Sequence, residues 1–291
     1  MKILLITNPG SGSSDEDVSA EIRQVLTRGG EVSTVAPESE TFDREVLEAA
    51  APADLVVVAG GDGTLHYAIN ALKDHLDDLV FGLVPMGTGN DFARTMGISD
   101  DPIEAAEGVL AGAEKAIDVG HASGAGADKL FINACMGGFP VDVDRAVNDD
   151  LKKRIGPLAF WVAGAKALKD ASRSTVVMNG IEVPDCVAAG VGNGRTCGGG
   201  IEVWPEADPT DSALDGCALP ATSVASAAKL AVDVKRGKHE VLEGVETVRA
   251  ARIEISADPA FEFNVDGELP GLRSPATFQL YARTRFRAPA R

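Results

Sequence analysis

Basic residues are the first shortage in this 291-residue chain: 27 lysines and arginines stand against 44 aspartates and glutamates, a formal net charge of −17. Nucleic-acid binding depends on a basic face that releases counterions, so the composition excludes nucleic acid as a partner class. Simple electrostatic adhesion to anionic lipid is disfavoured on the same ground. A self-repelling acidic surface is tolerated where salt is high, which fits a salt-loving source. Cysteine is also scarce. Cys135, Cys186, Cys197 and Cys217 lack the paired spacing of a zinc site and read as reduced, mostly buried thiols. No apolar run approaches the ~20 residues of a spanning helix. The chain enters a strand at Lys2 with no signal-peptide core before it, so a cytoplasmic protein is expected.

The chain does have the material for cores. With 45% hydrophobic and 24% charged residues it is globular, and its length suits two domains. Its centre of organisation is the stretch 54–66. There a β-branched run, Leu55 to Ala59, stops at Gly60-Gly61-Asp62-Gly63 and gives way to helical spacing at Leu65, Ile69 and Leu72. Strand, glycine turn and helix N-terminus together point free backbone N–H groups at an anion, and glycines let a phosphate approach with no Cβ in the way. Asp62 is the odd residue, since its charge opposes a phosphate. A divalent metal or a proton-transfer role beside the ligand resolves that conflict. A tight turn carrying a surface aspartate is the plainer alternative.

Around this stretch the order is regular. Strands are expected at 2–7, 31–35 and 79–84, and helices over Val18, Ile22, Val25 and Leu26, over 43–50 and over 103–110. Successive βα units imply a parallel, doubly wound sheet. Its loops include the glycine- and serine-rich stretch 8–14, which lacks the lysine of a Walker A loop and the spacing of a dinucleotide fingerprint. The stretch 85–94 is a second glycine-interrupted turn, in which Asn90 or Asp91 is placed to cap the following helix. Three polar loops thus follow strands of one sheet at their carboxyl ends, where open α/β sheets bind ligands.

Composition changes after Asp118. Helical spacing recurs over 157–168, as a core helix or an amphipathic segment touching a membrane. Short alternating stretches then follow at 174–178, 185–191, 216–219, 246–255, 261–265 and 277–283, the pattern of an antiparallel β-sandwich. The glycine-dense run 191–200 implies close backbone approach to something. Asp215-Gly216 reads by itself as a hairpin turn. Asp266 and Glu268 flank Gly267, and two carboxylates at such a turn are ordinarily solvated.

Asn8-Pro9 through Gly12, Gly60-Gly61-Asp62-Gly63-Thr64 and Gly87-Thr88-Gly89-Asn90-Asp91 together resemble the diacylglycerol kinase catalytic domain family. That family includes soluble bacterial diacylglycerol kinases, YegS-type lipid kinases and, more distantly, sphingosine and ceramide kinases. The Gly-Gly-Asp-Gly-Thr block is shared more loosely with NAD kinases and phosphofructokinases, and Phe92-Ala93-Arg94 favours the lipid branch. The resemblance implies an N-terminal α/β nucleotide domain (1–119, with a returning strand at about 278–291), a C-terminal antiparallel β-sandwich (120–277) and an active site between them. It implies ATP and Mg²⁺ as cofactors and a hydroxyl-bearing lipid such as diacylglycerol as acceptor. Membrane-surface contact would be transient, and a homodimer stays open.

The nucleotide contacts that follow from the resemblance are Asn8, Gly10, Ser11, Thr34, Gly60, Gly61, Asp62, Gly63, Thr64, Leu65, His66, Thr88, Asn90 and Asp91. Its metal site falls on the Asp215 side chain with main-chain oxygens of Ser212 and Cys217. Its catalytic carboxylates are Glu268 as proton acceptor, Asp266 assisting it, and Asp62. The turn 135–138 with Phe139 resembles an element facing the lipid. Arg94 either offsets phosphate charge or pairs on the surface. Two positions depart from the pattern: His66 where asparagine is common and Tyr67 where glutamate is frequent. A soluble-substrate kinase and a nucleotide-binding regulator without turnover are the competing functions.

Overall fold

The structure, a computed structural model, describes residues 1–7, 15–138 and 173–289. Asn8, Gly10 and Ser11, Phe139 and the helix expected over 157–168 lie outside the described residues. The chain divides into two compact units, Met1–Val119 with Ala282–Arg291, and Gly120–Tyr281.

The first unit alternates strand and helix: β1 (Lys2–Thr7), α1 (Asp15–Leu26), β2 (Glu31–Val35), α2 (Phe42–Ala50), β3 (Leu55–Gly60), α3 (Asp62–Ala71), β4 (Val80–Pro85), α4 (Asp91–Met96) and α5 (Pro102–Ala111). β1 pairs in parallel with β2 on one side and β3 on the other, and β3 pairs in parallel with β4. The sheet order β2-β1-β3-β4 reverses direction at β1, which leaves a crevice at the carboxyl ends of β1 and β3. Every residue of β3 and β4 is buried, as expected for apolar strands covered on both faces. α5 starts where the sequence offers a cap: Asp101 Oδ1 accepts from the N–H groups of Ile103 at 2.9 Å and Glu104 at 3.0 Å.

β5 (Ala113–Ala125) leads into the second unit, which is β-rich: β6 (Ala127–Phe131), β7 (Ala134–Gly138), β8 (Ser174–Met178), β9 (Ile181–Gly192), β10 (Thr196–Cys197), β11 (Ile201–Glu202), β12 (Leu214–Pro220), α6 (Val224–Lys235), β13 (Glu246–Ala250), β14 (Arg252–Asp258), β15 (Glu262–Val265) and β16 (Glu268–Ala288). Two long strands, β9 and β16, each pair in both layers of the sandwich. Antiparallel pairing runs from β7 to β9, β8, β14, β16, β15 and back to β7. This closed circuit leaves those strands no open edge. Its interior holds Phe131, Phe263, Phe278, Ile253 and Leu272, with the Phe263 and Phe278 rings edge-on at 5.2 Å. The far end of β16 belongs to the first unit, where Arg285 and Phe286 pair in parallel with Val80 and Phe81 of β4.

Two local expectations are corrected. The stretch 246–255 is two strands rather than one, because β13 pairs with β12 while β14 pairs with β8 and β16. Asp215-Gly216 is not a turn but lies inside β12, paired on both flanks. The real hairpin is Asp266-Gly267, with φ of +51° and +89°, between Val265 and Glu268. Two successive positive φ values suit the twist of the flanking strands.

A second core joins α6 to the sheet through Leu230, Val234, Val203 and Trp204. Beside it His239 is fully buried, its Nε2 2.9 Å from the Val203 carbonyl, and burial holds its pKa below the ordinary 6.5. A base whose pKa is lowered by folding takes up protons more readily when unfolded. Its contribution to stability is therefore complete above about pH 6.5 and is lost as the pH falls through the folded value. Thermal unfolding of wild type and His239→Gln at pH 8 and pH 5 should show a larger drop in midpoint for wild type; equal drops would contradict this.

Candidate active site

The two glycine turns of the first unit meet. A Cβ on Gly87 would lie 2.6 Å from the Gly61 Cα, and one on Gly60 would lie 2.6 Å from Thr64 Cβ. The missing side chains at Gly61 and Gly87 therefore let the turns after β3 and β4 pack together, and the one at Gly60 makes room for Thr64. Met86 N–H donates to the Gly60 carbonyl at 3.0 Å and adds a main-chain tie.

Asp62 secures the arrangement. Its Oδ2 accepts from the Asp91 N–H at 3.0 Å and its Oδ1 from the Phe92 N–H at 3.1 Å, so this carboxylate caps α4 from 29 residues away in sequence. Neither Asn90 nor Asp91 caps α4, contrary to the local expectation. Asn90 instead closes its own loop in the left-handed region (φ +51°): its Oδ1 accepts from the Gly87 N–H at 3.0 Å and its Nδ2 donates to the Gly87 carbonyl at 2.9 Å. Arg94 Nη1 donates to the Gly89 carbonyl and sits 3.8 Å from Asp91. This loop lines a cavity of about 430 Å³ with Thr88, Asn90, Arg94 and, from α1, Val18.

The N-cap of α3 is Gly61, which has no side chain to cap with. The other expected nucleotide contacts are unequally placed. Thr88 is exposed and Thr64 is buried at 7%. Thr34 is exposed on β2, opposite Leu5. Leu65 and His66 are buried at 0% and 2%, with the His66 ring edge-on to Tyr67 at 5.5 Å and its carbonyl accepting from Asn70 Nδ2 at 2.9 Å.

In the second unit Asp266 is buried, and three backbone donors converge on it. Oδ1 accepts from Asn133 N–H at 2.9 Å and Ala134 N–H at 3.0 Å, and Oδ2 from Ile132 N–H at 3.0 Å. The carboxylate thus anchors the β6–β7 connection, and Glu268 begins β16 directly after the turn it fixes. Sequence reasoning missed this network. It also missed Asn193, whose Nδ2 donates to the Ile132 carbonyl at 2.7 Å, and Arg249, whose Nη1 lies 3.5 Å from Asp215 Oδ1.

The glycine-dense run is explained by packing. A Cβ on Gly192 would lie 2.4 Å from the Trp204 ring, and Gly198, Gly199 and Gly200 all take positive φ in the β10–β11 turn. Residues 135–138 form β7 rather than a turn, with Gly137 making room for the Phe263 ring.

Asp215 lies among carboxylates and faces Arg249. Burial raises its pKa to about 6, Arg249 opposes the rise, and Asp211, Glu240 and Glu206 add to it. A divalent ion would relieve that accumulation of negative charge. Among the described residues no cluster of three or more His, Cys, Asp or Glu side chains could hold a metal, so main-chain oxygens must complete any site. Ser212, at φ +62° before β12, fits that role more freely than Cys217, which is paired to Gly190 and Thr247. Burial pushes the Cys217 thiol far above its ordinary pKa, which favours the neutral thiol.

Comparison with known proteins agrees with this anatomy. Residues 2–122 match the diacylglycerol kinase catalytic domain, and residues 133–283 match the YegS C-terminal NAD kinase beta sandwich-like domain. A protein of Xanthomonas campestris pv. campestris named "Probable lipid kinase YegS-like" is 33% identical over 98% of this chain and 95% of its own length. One of the same name from Pseudomonas putida is 32% identical over 92% of this chain and 88% of its own length. The crystal structure of a diacylglycerol kinase from Bacillus anthracis strain Sterne superposes with a TM-score of 0.80 at 25% identity, covering 99% of this chain and 96% of that one.

Two substitutions separate architecture from charge. Asp266→Ala leaves three buried N–H donors without their acceptor and should cost about 3 kcal/mol or more in chemical denaturation. Asp62→Ala, which removes the two bonds that cap α4, should cost less, about 1–2 kcal/mol. Equal costs would contradict the assignments.

Proposed function

The chain belongs to the diacylglycerol kinase catalytic domain family, with a YegS-type C-terminal domain, and from that premise we propose that it is an ATP-dependent lipid kinase. In this reading it transfers the γ-phosphoryl group of ATP, with Mg²⁺, to the hydroxyl of a diacylglycerol-like lipid. One observation carries the proposal: α3 starts directly behind Gly60-Gly61 with a glycine at its N-cap, so no N-cap side chain stands between the helix dipole and a phosphate.

Phosphoryl transfer asks a protein mainly to position groups and to stabilise charge. The first-turn N–H groups of α3 would bind the phosphates, and the exposed Thr88 hydroxyl would donate from the adjoining loop. Asp62 fixes α4 and the 87–91 loop against them and adds local negative charge. Bound Mg²⁺ would neutralise the phosphoryl oxygens, and the residues assigned to hold it are Asp215 with main-chain oxygens of Ser212 and Cys217. Glu268 is assigned as the group that takes the proton from the lipid hydroxyl. Asp266 becomes its positioning residue, because it holds the turn from which Glu268 starts. A lipid acceptor also requires work at a membrane surface. None of the described helices is long and apolar enough to cross a membrane, so contact would be peripheral.

A soluble-substrate kinase is the second reading, favoured by the NAD kinase-like character of the matched C-terminal domain. One assay separates the two: [γ-³²P]ATP is offered with a panel of hydroxyl lipids in low and high salt, and products are resolved by thin-layer chromatography. Label is expected in the lipid extract, to depend on Mg²⁺ and to be lost with EDTA. Glu268→Gln and Asp62→Asn should each lower the rate by about 100-fold or more. Label confined to water-soluble products, or a Glu268→Gln enzyme at the wild-type rate, would overturn the proposal.

A further inference from the structure

The acidic charge of this protein is interrupted along α6 and the loop after it. Within residues 224–241 four cations, Lys229, Lys235, Arg236 and Lys238, stand against two carboxylates, Asp233 and Glu240, in a chain of net charge −17. At 100° per residue, Lys229, Val232, Lys235 and Arg236 share an arc of about 120° on α6 and its C-cap, opposite the buried Leu230 and Val234. All four residues of that arc are exposed, Val232 at 48%.

The chain then turns at Gly237 (φ +60°), exposes Lys238, buries His239 against the Val203 carbonyl and presents Val241 at 89% exposure. Among the large apolar side chains with substantial exposure in the described residues, Val241 is the most exposed. His239 pins a loop whose tip would otherwise have no reason to hold an apolar residue out in water.

We propose that this face of α6, with the 237–241 loop, is the surface by which the protein docks on an anionic lipid bilayer. The inference rests on the lipid-kinase reading, which requires the acceptor to be reached in a membrane. Cations clustered on one helical face complement anionic headgroups, and the two valines are suited to enter the interface below them. Such a cluster offsets the repulsion that a net charge of −17 meets at an anionic membrane.

The test is co-sedimentation of the full chain with vesicles of phosphatidylglycerol and phosphatidylcholine, against vesicles of phosphatidylcholine alone, at low salt. Wild type should bind the anionic vesicles and release as salt rises. K229A/K235A/R236A/K238A should lower partitioning by about 100-fold or more, and Val241→Asp by about 10-fold. A control removing the exposed Lys73 and Lys129 elsewhere should change it little. Activity on a short-chain diacylglycerol dissolved as monomers should be unchanged in the α6 variants, while activity on vesicle-embedded diacylglycerol falls.

Wild-type failure to bind anionic vesicles, unchanged binding in the quadruple variant, or an equal loss in the control would overturn the docking surface. So would self-association that disappears in the quadruple variant while vesicle binding persists, which would give the face to a second copy. Vesicle binding that depends on this face, in a protein that phosphorylates no lipid, would sustain the docking surface and refute the lipid-kinase reading alone.

Discussion

The first unit depends on one carboxylate that accepts two backbone N–H groups. Asp62 opens α3 yet spends its oxygens on the start of α4, at 3.0 and 3.1 Å from the Asp91 and Phe92 nitrogens. Charge-assisted bonds of this kind are about twice as strong as neutral ones. They join two turns that would otherwise be independent loops at the ends of β3 and β4. Gly61 at the N-cap gives α3 no capping side chain, in the place where a helix dipole favours an anion. A charge that opposes the phosphate proposed there is thus explained by what it holds.

The second unit repeats the device. Asp266 collects three N–H groups from residues 132–134 and ties the β15–β16 hairpin to the β6–β7 connection. In both units an aspartate next to a glycine organises backbone from a distant part of the chain. In both, the groups proposed for chemistry lie immediately beside it: the α3 N–H groups in one, Glu268 in the other. Asp215 is different. Burial and neighbouring carboxylates raise its pKa to about 6, against the pull of the Arg249 guanidinium 3.5 Å away.

Much of this was legible before any coordinates. Repeated βα units, glycine turns at strand ends and a β-rich second half follow from periodicity and punctuation, and periodicity is local. What stayed hidden involves partners far apart in the chain. Nothing near Asp62 says that α4 supplies its donors, and nothing near Asp266 says that residues 132–134 surround it. The Asp-Gly dipeptide shows the limit well. Asp215-Gly216 sits inside a paired strand and Asp266-Gly267 forms the hairpin, because strand pairing decides between them and no dipeptide encodes it. The glycines mislead in the same way: Gly192 is bare for the Trp204 ring, and Gly87 for Gly61.

The central claim, that the start of α3 is a phosphate seat, is open to direct observation. Amide chemical shifts of the isotope-labelled protein, followed during titration with ATP, report which N–H groups acquire an anionic partner. The account predicts that Asp62, Gly63 and Thr64 shift first and furthest, together with Thr88. Saturation with ATP that leaves those amides unmoved, while others shift, would contradict it.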